Sequence, residues 1–114
     1  MILYHNNRCG KSRDALKLVE ESGEKFEVRD YLNNPPSQKE IKELLSKLGL
    51  KAEDIIRKKE KIFIENFKNK KLTESQWIKI LSENPILIER PILITKTKAV
   101  IGRPPELVKK LLKS

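Results

Sequence analysis

The sequence is short of the residues that hold metal ions and disulfide bridges. It contains one cysteine, Cys9, and one histidine, His5. A lone cysteine cannot close an internal disulfide, and one thiol with one imidazole is too small a ligand set for a structural zinc ion. We therefore expect no metal and no bound cofactor. Redox chemistry at Cys9 would have to take its second thiol from another molecule.

Long apolar runs are also missing. No stretch reaches the roughly 18 consecutive apolar residues that a membrane-spanning helix needs. The apolar start, Met1–Tyr4, passes directly into His5-Asn6-Asn7 and lacks the basic-then-apolar layout of a secretion signal. These features predict a cytoplasmic protein with no membrane partner, and a length of 114 residues predicts a single domain.

Acidic residues are outnumbered, since 25 Lys and Arg face 16 Asp and Glu and the formal net charge is +9. A charge of this sign attracts nucleic acid, acidic membranes or small oxyanions. Aromatic residues make up only 5% of the chain, and no recognition motif beyond lysine is present, so a nucleic-acid partner is disfavoured. The few arginines stand mostly beside Gly, Pro or Cys. Because a guanidinium binds phosphate-like anions through paired hydrogen bonds, their placement favours an oxyanion site.

The first third of the chain has the pattern of a βαβ unit. Met1–Tyr4 is a candidate buried strand. The apolar residues at 15–19 share one helical face, and this helix ends at Ser22-Gly23. Phe26–Tyr31 alternates in the manner of a second strand. Because a helix connects the two strands, we expect them to be parallel.

The remainder predicts helices followed by a hairpin and a last helix. Capping-box patterns, a hydroxyl residue followed three positions later by Glu or Gln, predict helix starts at Ser37 and Thr73. Leu50–Arg57 favours a short helix, whereas Lys58–Lys71 is undecided. The β-branched runs at 92–95 and 98–101 predict an antiparallel hairpin, and the prolines after Gly102 favour a helix start.

The position of Cys9 decides how its thiol should behave. It lies after the first strand and directly before a helix, where free N–H groups and the helix dipole favour the thiolate. His5, Arg8 and Arg13 would act in the same direction if they lie close. The alternative is an inert buried cysteine with scattered surface charges around it. The glycine-containing loop favours the reactive thiol, and Arg57, Arg90 and Arg103 could join it if the hairpin lies beside the first strand.

Five stretches carry a family resemblance in the right order over nearly the whole chain: YHNNRCGKSR, NNPPSQKEIKELLSKLGL, IIRKKE, ENPILIERPILI and IGRPPELV. With them the sequence resembles the glutaredoxin-coupled arsenate reductase family, especially its short single-domain members. The resemblance implies an α/β thioredoxin-like fold with a mixed sheet, in which 1–32 and 85–114 form the core and 33–84 a helical insertion. It also implies a cis peptide bond before Pro91.

The resemblance further implies a role for each matching residue. Cys9 matches the nucleophile, and the thiolate-stabilising positions are matched by His5, Ser12 and Arg13. The arginines that hold the oxyanion are matched by Arg57, Arg90 and Arg103. In the implied reaction the Cys9 thiolate attacks arsenate, glutathione attacks the adduct, and glutaredoxin completes the reduction to arsenite. Arsenate or a related oxyanion, glutathione and glutaredoxin are thus the expected partners.

Two residues of the Cys9 loop differ from the residues found in related proteins at the same positions. Asn7 stands where the family commonly has proline, which loosens the loop and adds an N–H donor. Ser12 replaces the second cysteine of the redox switch in Spx-type RNA-polymerase-binding regulators, so an internal disulfide switch is unavailable. A monothiol oxidoreductase acting on glutathione mixed disulfides would share the fold and the thiolate. The arginine set distinguishes it, because simple thiol exchange needs no oxyanion site.

Overall fold

The computed structural model describes residues 1–113 and contains a small mixed sheet with helices between and after its strands. The strands are β1 (Ile2–Tyr4), β2 (Glu27–Arg29), β3 (Ile92–Ile94) and β4 (Ala99–Ile101). The helices are α1 (Gly10–Glu21), α2 (Gln38–Leu48), α3 (Lys61–Asn66), α4 (Glu74–Glu83) and α5 (Glu106–Leu112), with 3-10 turns at Ala52–Ile55 and Pro85–Leu87. None of the described helices is long and apolar enough to cross a membrane.

The chain divides into two compact units, residues 1–34 with 90–114, and residues 35–89. The first unit holds the sheet, in the order β2-β1-β3-β4. β1 runs parallel to β2 and antiparallel to β3, and β3 runs antiparallel to β4. The predicted parallel pair and the predicted hairpin are both confirmed.

The core of the first unit lies on the face of the sheet that α1 and α5 cover. Its fully buried cluster is Leu3, Ala15, Val19, Leu93 and Val108. Since side chains alternate along a strand, Leu3 enters this cluster while its neighbour Tyr4 lies on the opposite face. Full burial of each Leu stabilises the fold by roughly 1.5–3 kcal/mol. This packing fixes α1, and therefore the residue at its N-terminus, against β1.

On the opposite face of the sheet, Tyr4 stacks on Tyr31 with ring centroids 5.9 Å apart. The guanidinium carbon of Arg29 lies 5.6 Å from the centroid of the Tyr4 ring. This geometry is that of a cation–π contact. β2 is thereby tied to β1 through side chains as well as through backbone hydrogen bonds.

The second unit is helical, and its two main helices begin where the capping patterns predicted. The Ser37 and Thr73 hydroxyls accept the backbone N–H of Glu40 and Gln76, and each of those side chains accepts the N–H of its cap residue. α2 ends at Gly49, whose φ of +69° is left-handed, a conformation that glycine adopts without strain.

One expectation for the second unit was wrong, and one undecided stretch contains a helix. The predicted helix at Leu50–Arg57 is only a 3-10 turn, Ala52–Ile55. Side-chain carboxylates hold its start, because Asp54 accepts the Lys51 N–H at 2.9 Å and Glu74 accepts the Ala52 N–H at 3.1 Å. Within the undecided stretch Lys58–Lys71, the short helix α3 forms.

Candidate active site

Sheet register brings the chemistry-bearing segments to one end of the first unit. Tyr4 pairs with Ile92, and Ile92 pairs with Ile101. The loop that follows β1, the residues that precede β3 and the residues that follow β4 must therefore meet at the same edge. These three segments contain Cys9, Arg90 and Arg103.

Cys9 is the N-cap residue of α1, with an extended backbone and no side-chain capping bond. Its N–H donates to the Asn6 carbonyl at 3.0 Å, and its carbonyl accepts the Arg13 N–H at 3.0 Å. The sulfur is partly buried. The Cys9 side chain therefore does not cap the helix, and its sulfur lies at the positive end of the helix dipole.

Side chains from both ends of the Cys9 loop hold its backbone in place. The fully buried Ser12 hydroxyl accepts the Asn6 N–H at 3.2 Å, and the Asn6 side chain accepts the Arg8 N–H at 2.9 Å. Arg13 Nη1 donates to the Asn7 carbonyl at 3.0 Å. Asn6 was not singled out from the sequence, although asparagine two residues before a turn is a known local signal.

Two guanidinium groups lie at the Cys9 sulfur. Nη2 of Arg103 donates to Sγ at 3.7 Å, and Nε of Arg103 donates to the Arg90 carbonyl at 2.9 Å. The Arg90 side chain also hydrogen-bonds the sulfur. The Arg90 carbonyl therefore orients the Arg103 guanidinium, and both side chains contact the thiol. This arrangement is suited to an anionic ligand beside Sγ.

These neighbours determine the acidity of the thiol. Burial alone would raise the pKa of Cys9, but the Ser12 N–H, the Arg90 guanidinium and the Lys11 N–H outweigh it, and the pKa lies below the usual cysteine value. A lowered pKa increases the fraction of thiolate, which is the nucleophilic form. The first turn of α1 and Arg90 thus act together on one sulfur atom.

Gly102 and Pro91 form the packed support behind the arginines. The Arg90–Pro91 peptide bond is cis, as is Arg103–Pro104. The Gly102 N–H donates to the Pro91 carbonyl at 2.8 Å. A Cβ atom on Gly102 would lie 2.8 Å from Cγ2 of Val108 and 2.9 Å from Cγ of Pro91. Only glycine fits between this proline and α5 without a shift of its neighbours.

The sequence model of the ArsC family matches residues 4–111, which is nearly the whole chain. The chain belongs to the ArsC family. The arsenate reductase of Neisseria meningitidis is 39% identical over 112 residues, which cover 96% of each chain. The protein YfgD of Escherichia coli K12, described as uncharacterized, is 43% identical over 108 residues, covering 93% of this chain and 91% of that one.

A solved ArsC-type structure supports the fold assignment. The structure of the arsenate reductase from Vibrio cholerae superposes with a TM-score of 0.90 at 39% identity, covering 96% of this chain and 94% of that chain. The thioredoxin-like α/β fold expected from the sequence is confirmed.

His5 and Arg13 lie at the two ends of the Cys9 loop, but neither is among the groups that lower the pKa of Cys9. His5 is buried, and its backbone N–H donates to the Arg29 carbonyl at 3.0 Å. Neither nitrogen of its imidazole ring has a hydrogen-bond partner within residues 1–113. Arg13 contacts the loop backbone as described above. Their predicted roles at the thiolate stay predictions.

Arg57 belongs to the second unit of this ArsC chain. Its Nε lies 3.4 Å from Glu60 Oε1 and its Nη1 lies 3.3 Å from Glu89 Oε1. The Arg57 N–H also donates to the Leu87 carbonyl at 2.7 Å. Glu60 and Glu89 were not anticipated from the sequence, and the role predicted for Arg57 in oxyanion binding stays a prediction.

No group of three or more His, Cys, Asp and Glu side chains in residues 1–113 could hold a metal ion. At Cys9, the described residues place a thiol of lowered pKa beside guanidinium groups. Such a site can hold an oxyanion over a nucleophilic sulfur.

Proposed function

We propose that this chain is an arsenate reductase coupled to glutathione and glutaredoxin. The observation that carries the proposal is the Cys9 thiol with a lowered pKa beside the side chains of Arg90 and Arg103. A thiolate alone would suit many redox reactions. Paired guanidinium groups at the same sulfur favour a substrate that is itself an oxyanion. The named arsenate reductases among the relatives support the same substrate.

In the proposed reaction, Arg90 and Arg103 hold arsenate beside Sγ of Cys9. The thiolate attacks arsenic, a sulfur–arsenic bond forms, and one oxygen leaves as water after taking up protons. Glutathione attacks arsenic in this adduct, and a second oxygen leaves as water. The glutaredoxin thiol then attacks the glutathione sulfur, and the sulfur–arsenic bond to glutathione breaks with its electron pair going to arsenic. Water cleaves the remaining Cys9–arsenic bond, so that arsenite leaves and the Cys9 thiol is restored. Overall, arsenic(V) gains two electrons, and two thiols lose two electrons as they become one disulfide.

The second thiol must come from outside because Cys9 is the only cysteine of the chain. Glutathione and glutaredoxin supply thiols in the cytoplasm, where cysteines stay reduced. We therefore place the proposed activity in the cytoplasm. His5, Ser12 and Arg13 are proposed to favour the thiolate, with Ser12 acting through its N–H and through the buried bond that holds the loop.

The test is arsenate reduction by the wild type and by Cys9→Ser, with glutathione and glutaredoxin present. We expect turnover only with the wild type. A parallel reaction with thioredoxin in place of glutaredoxin identifies the reductant, and we expect less arsenite there. Equal rates for the wild type and Cys9→Ser, or no reduction by a folded wild type, would rule the proposal out.

The same variants distinguish oxyanion chemistry from simple thiol exchange. Arg90→Ala and Arg103→Ala should lose arsenate reduction far more than they lose activity on a glutathione mixed disulfide, since only arsenate needs a bound oxyanion. Equal losses on both substrates would favour a monothiol oxidoreductase instead.

Arg57 is proposed to contribute to oxyanion binding as well. Arg57→Ala should raise KM for arsenate while leaving the pKa of Cys9 unchanged, because Arg57 is absent from the groups that set that pKa. Glu60→Gln is the matched control, since it breaks one ion pair of Arg57 and keeps the guanidinium. An Arg57→Ala variant with wild-type KM and reduced stability would make the residue purely structural.

A further inference from the structure

A cavity of about 530 Å³ lies in the second unit. Its lining comes from α3, from the segments that precede and follow α3, and from Trp77 of α4. Volumes of this size are typical of sites for small organic ligands. Every lining residue falls within residues 53–77, so the cavity is separate from the Cys9 loop in sequence and belongs to a different unit.

Aromatic side chains are concentrated at this cavity. The chain has one tryptophan and three phenylalanines, and the tryptophan and two of the phenylalanines line it. Phe63 stacks on Trp77 with ring centroids 6.2 Å apart, and Phe67 meets Trp77 edge-on at 6.4 Å. Ile64 beside them is 50% exposed. This lining presents an apolar surface on which a flat ring could pack.

Positive charge surrounds the aromatic lining. Four exposed lysines contribute to the cavity, Lys58, Lys59, Lys68 and Lys70, against a single acidic residue, Glu53. Nζ of Lys70 lies 5.8 Å from the centroid of the Phe67 ring. A charge balance of this kind complements an anion and disfavours a cationic ligand.

The indole of Trp77 adds a second indication. Trp77 is 3% exposed, and its Nε1 has no hydrogen-bond partner within residues 1–113. Buried N–H groups normally have an acceptor, because leaving one unpaired costs free energy. The described residues thus leave one polar group unsatisfied on a side chain that lines the cavity.

We propose that this lysine-rimmed cavity binds a small anion that carries a flat ring, of the size of a mononucleotide. The ring would pack on the Phe67 and Ile64 side, and the anionic group would meet the lysines. A bare oxyanion would make no contact with the aromatic lining, and a neutral ring would form no ion pair with the lysines. The inference does not depend on arsenate reduction.

The chain carries its own reporter for the test, since Trp77 is the only tryptophan and lines the cavity. Its fluorescence is followed while adenosine monophosphate, adenosine or inorganic phosphate is added to the full-length protein. We expect a saturable change with adenosine monophosphate. Adenosine, which lacks the charge, and phosphate, which lacks the ring, should each bind at least about tenfold more weakly.

Matched lysine variants locate the site. Lys59→Gln combined with Lys68→Gln should weaken adenosine monophosphate binding several-fold. Lys42→Gln, which removes an exposed lysine of α2 outside the cavity, should bind like the wild type, as should Cys9→Ser. Thermal unfolding of each variant checks that the fold is retained.

Three results would overturn the inference. The first is no saturable response to adenosine monophosphate from a folded protein. The second is an equal loss of affinity in Lys42→Gln and in the double variant. The third is a response to an acidic peptide where adenosine monophosphate gives none, which would assign the cavity to a protein partner.

Discussion

Nη2 of Arg103 lies 3.7 Å from Sγ of Cys9, although 94 positions separate the two residues in the chain. The contact exists because β1 pairs with β3 and β3 pairs with β4, so both residues leave the sheet at the same edge. The register of three-residue strands therefore decides which cation faces the nucleophile.

Arg103→Ala should lower kcat/KM for arsenate by at least about tenfold, a typical effect of removing a charged hydrogen-bond donor from a reacting centre. Arg103→Lys should recover only part of the activity, because lysine keeps the charge but loses the second donor that reaches the Arg90 carbonyl. Steady-state kinetics measure both, and Arg8→Ala controls for the loss of a loop arginine. Wild-type kinetics in Arg103→Lys would mean that charge alone matters.

Arg90→Ala should raise the pKa of the Cys9 thiol, because the wild-type side chain lowers it both as a hydrogen-bond donor and as a positive charge. Thiolate ultraviolet absorbance against pH, or the pH dependence of alkylation, measures the change. Arg13→Ala should give a smaller rise, since Arg13 donates to the Asn7 carbonyl and lies outside the groups that lower the pKa of Cys9. A larger rise in Arg13→Ala than in Arg90→Ala would contradict the assignment.

The lowered pKa of Cys9 also predicts how stability depends on pH. The folded chain releases the thiol proton more readily than the unfolded chain, so the thiolate stabilises the fold. This stabilisation is complete above the unfolded thiol pKa of about 8.5 and disappears as the pH falls through the lowered folded-state pKa.

The wild type should therefore gain unfolding free energy relative to Cys9→Ser as the pH rises towards the unfolded thiol pKa of about 8.5. Urea unfolding at several pH values measures it. Parallel profiles for the two proteins would show that the thiol has the same pKa in both states.

Gly102→Ala should lower the free energy of unfolding by about 1–3 kcal/mol, the usual cost of forcing a methyl group into a filled space. The new Cβ would press on both Val108 and Pro91. Gly10→Ala is the matched control, because its Cβ would lie 3.8 Å from an Arg13 nitrogen, an ordinary contact. Equal stability of both variants in urea would show that α5 shifts at little cost in free energy to accept a methyl group at position 102.

The parts of this fold that depend on neighbouring residues were readable from the sequence. Ser37 and Thr73 signal helix starts because their hydroxyls act on N–H groups three residues away. Cys9 could likewise be placed at a helix N-terminus from the strand, loop and helix order. The strand, helix, strand order was enough to predict the parallel pair, and two neighbouring β-branched runs were enough to predict the hairpin.

Features that depend on distant residues were not readable in the same way. The Glu74 carboxylate accepts the Ala52 N–H across 22 positions, and the start of the turn that replaced a predicted helix depends on it. The bond from Asn6 N–H to the buried Ser12 hydroxyl needs the loop to be folded first. The family resemblance, rather than any local pattern, pointed to Arg90 and Arg103 as partners of Cys9.

The division into two units has a practical consequence for spectroscopy. Cys9, the only thiol, lies in one unit, and Trp77, the only indole, lies in the other. A single acceptor dye attached to the native cysteine would pair with the native tryptophan as donor. Resonance energy transfer could then report ligand binding at the cavity that Trp77 lines, in a protein that needs no substitution to be labelled. The dye would block turnover, because it occupies the Cys9 sulfur.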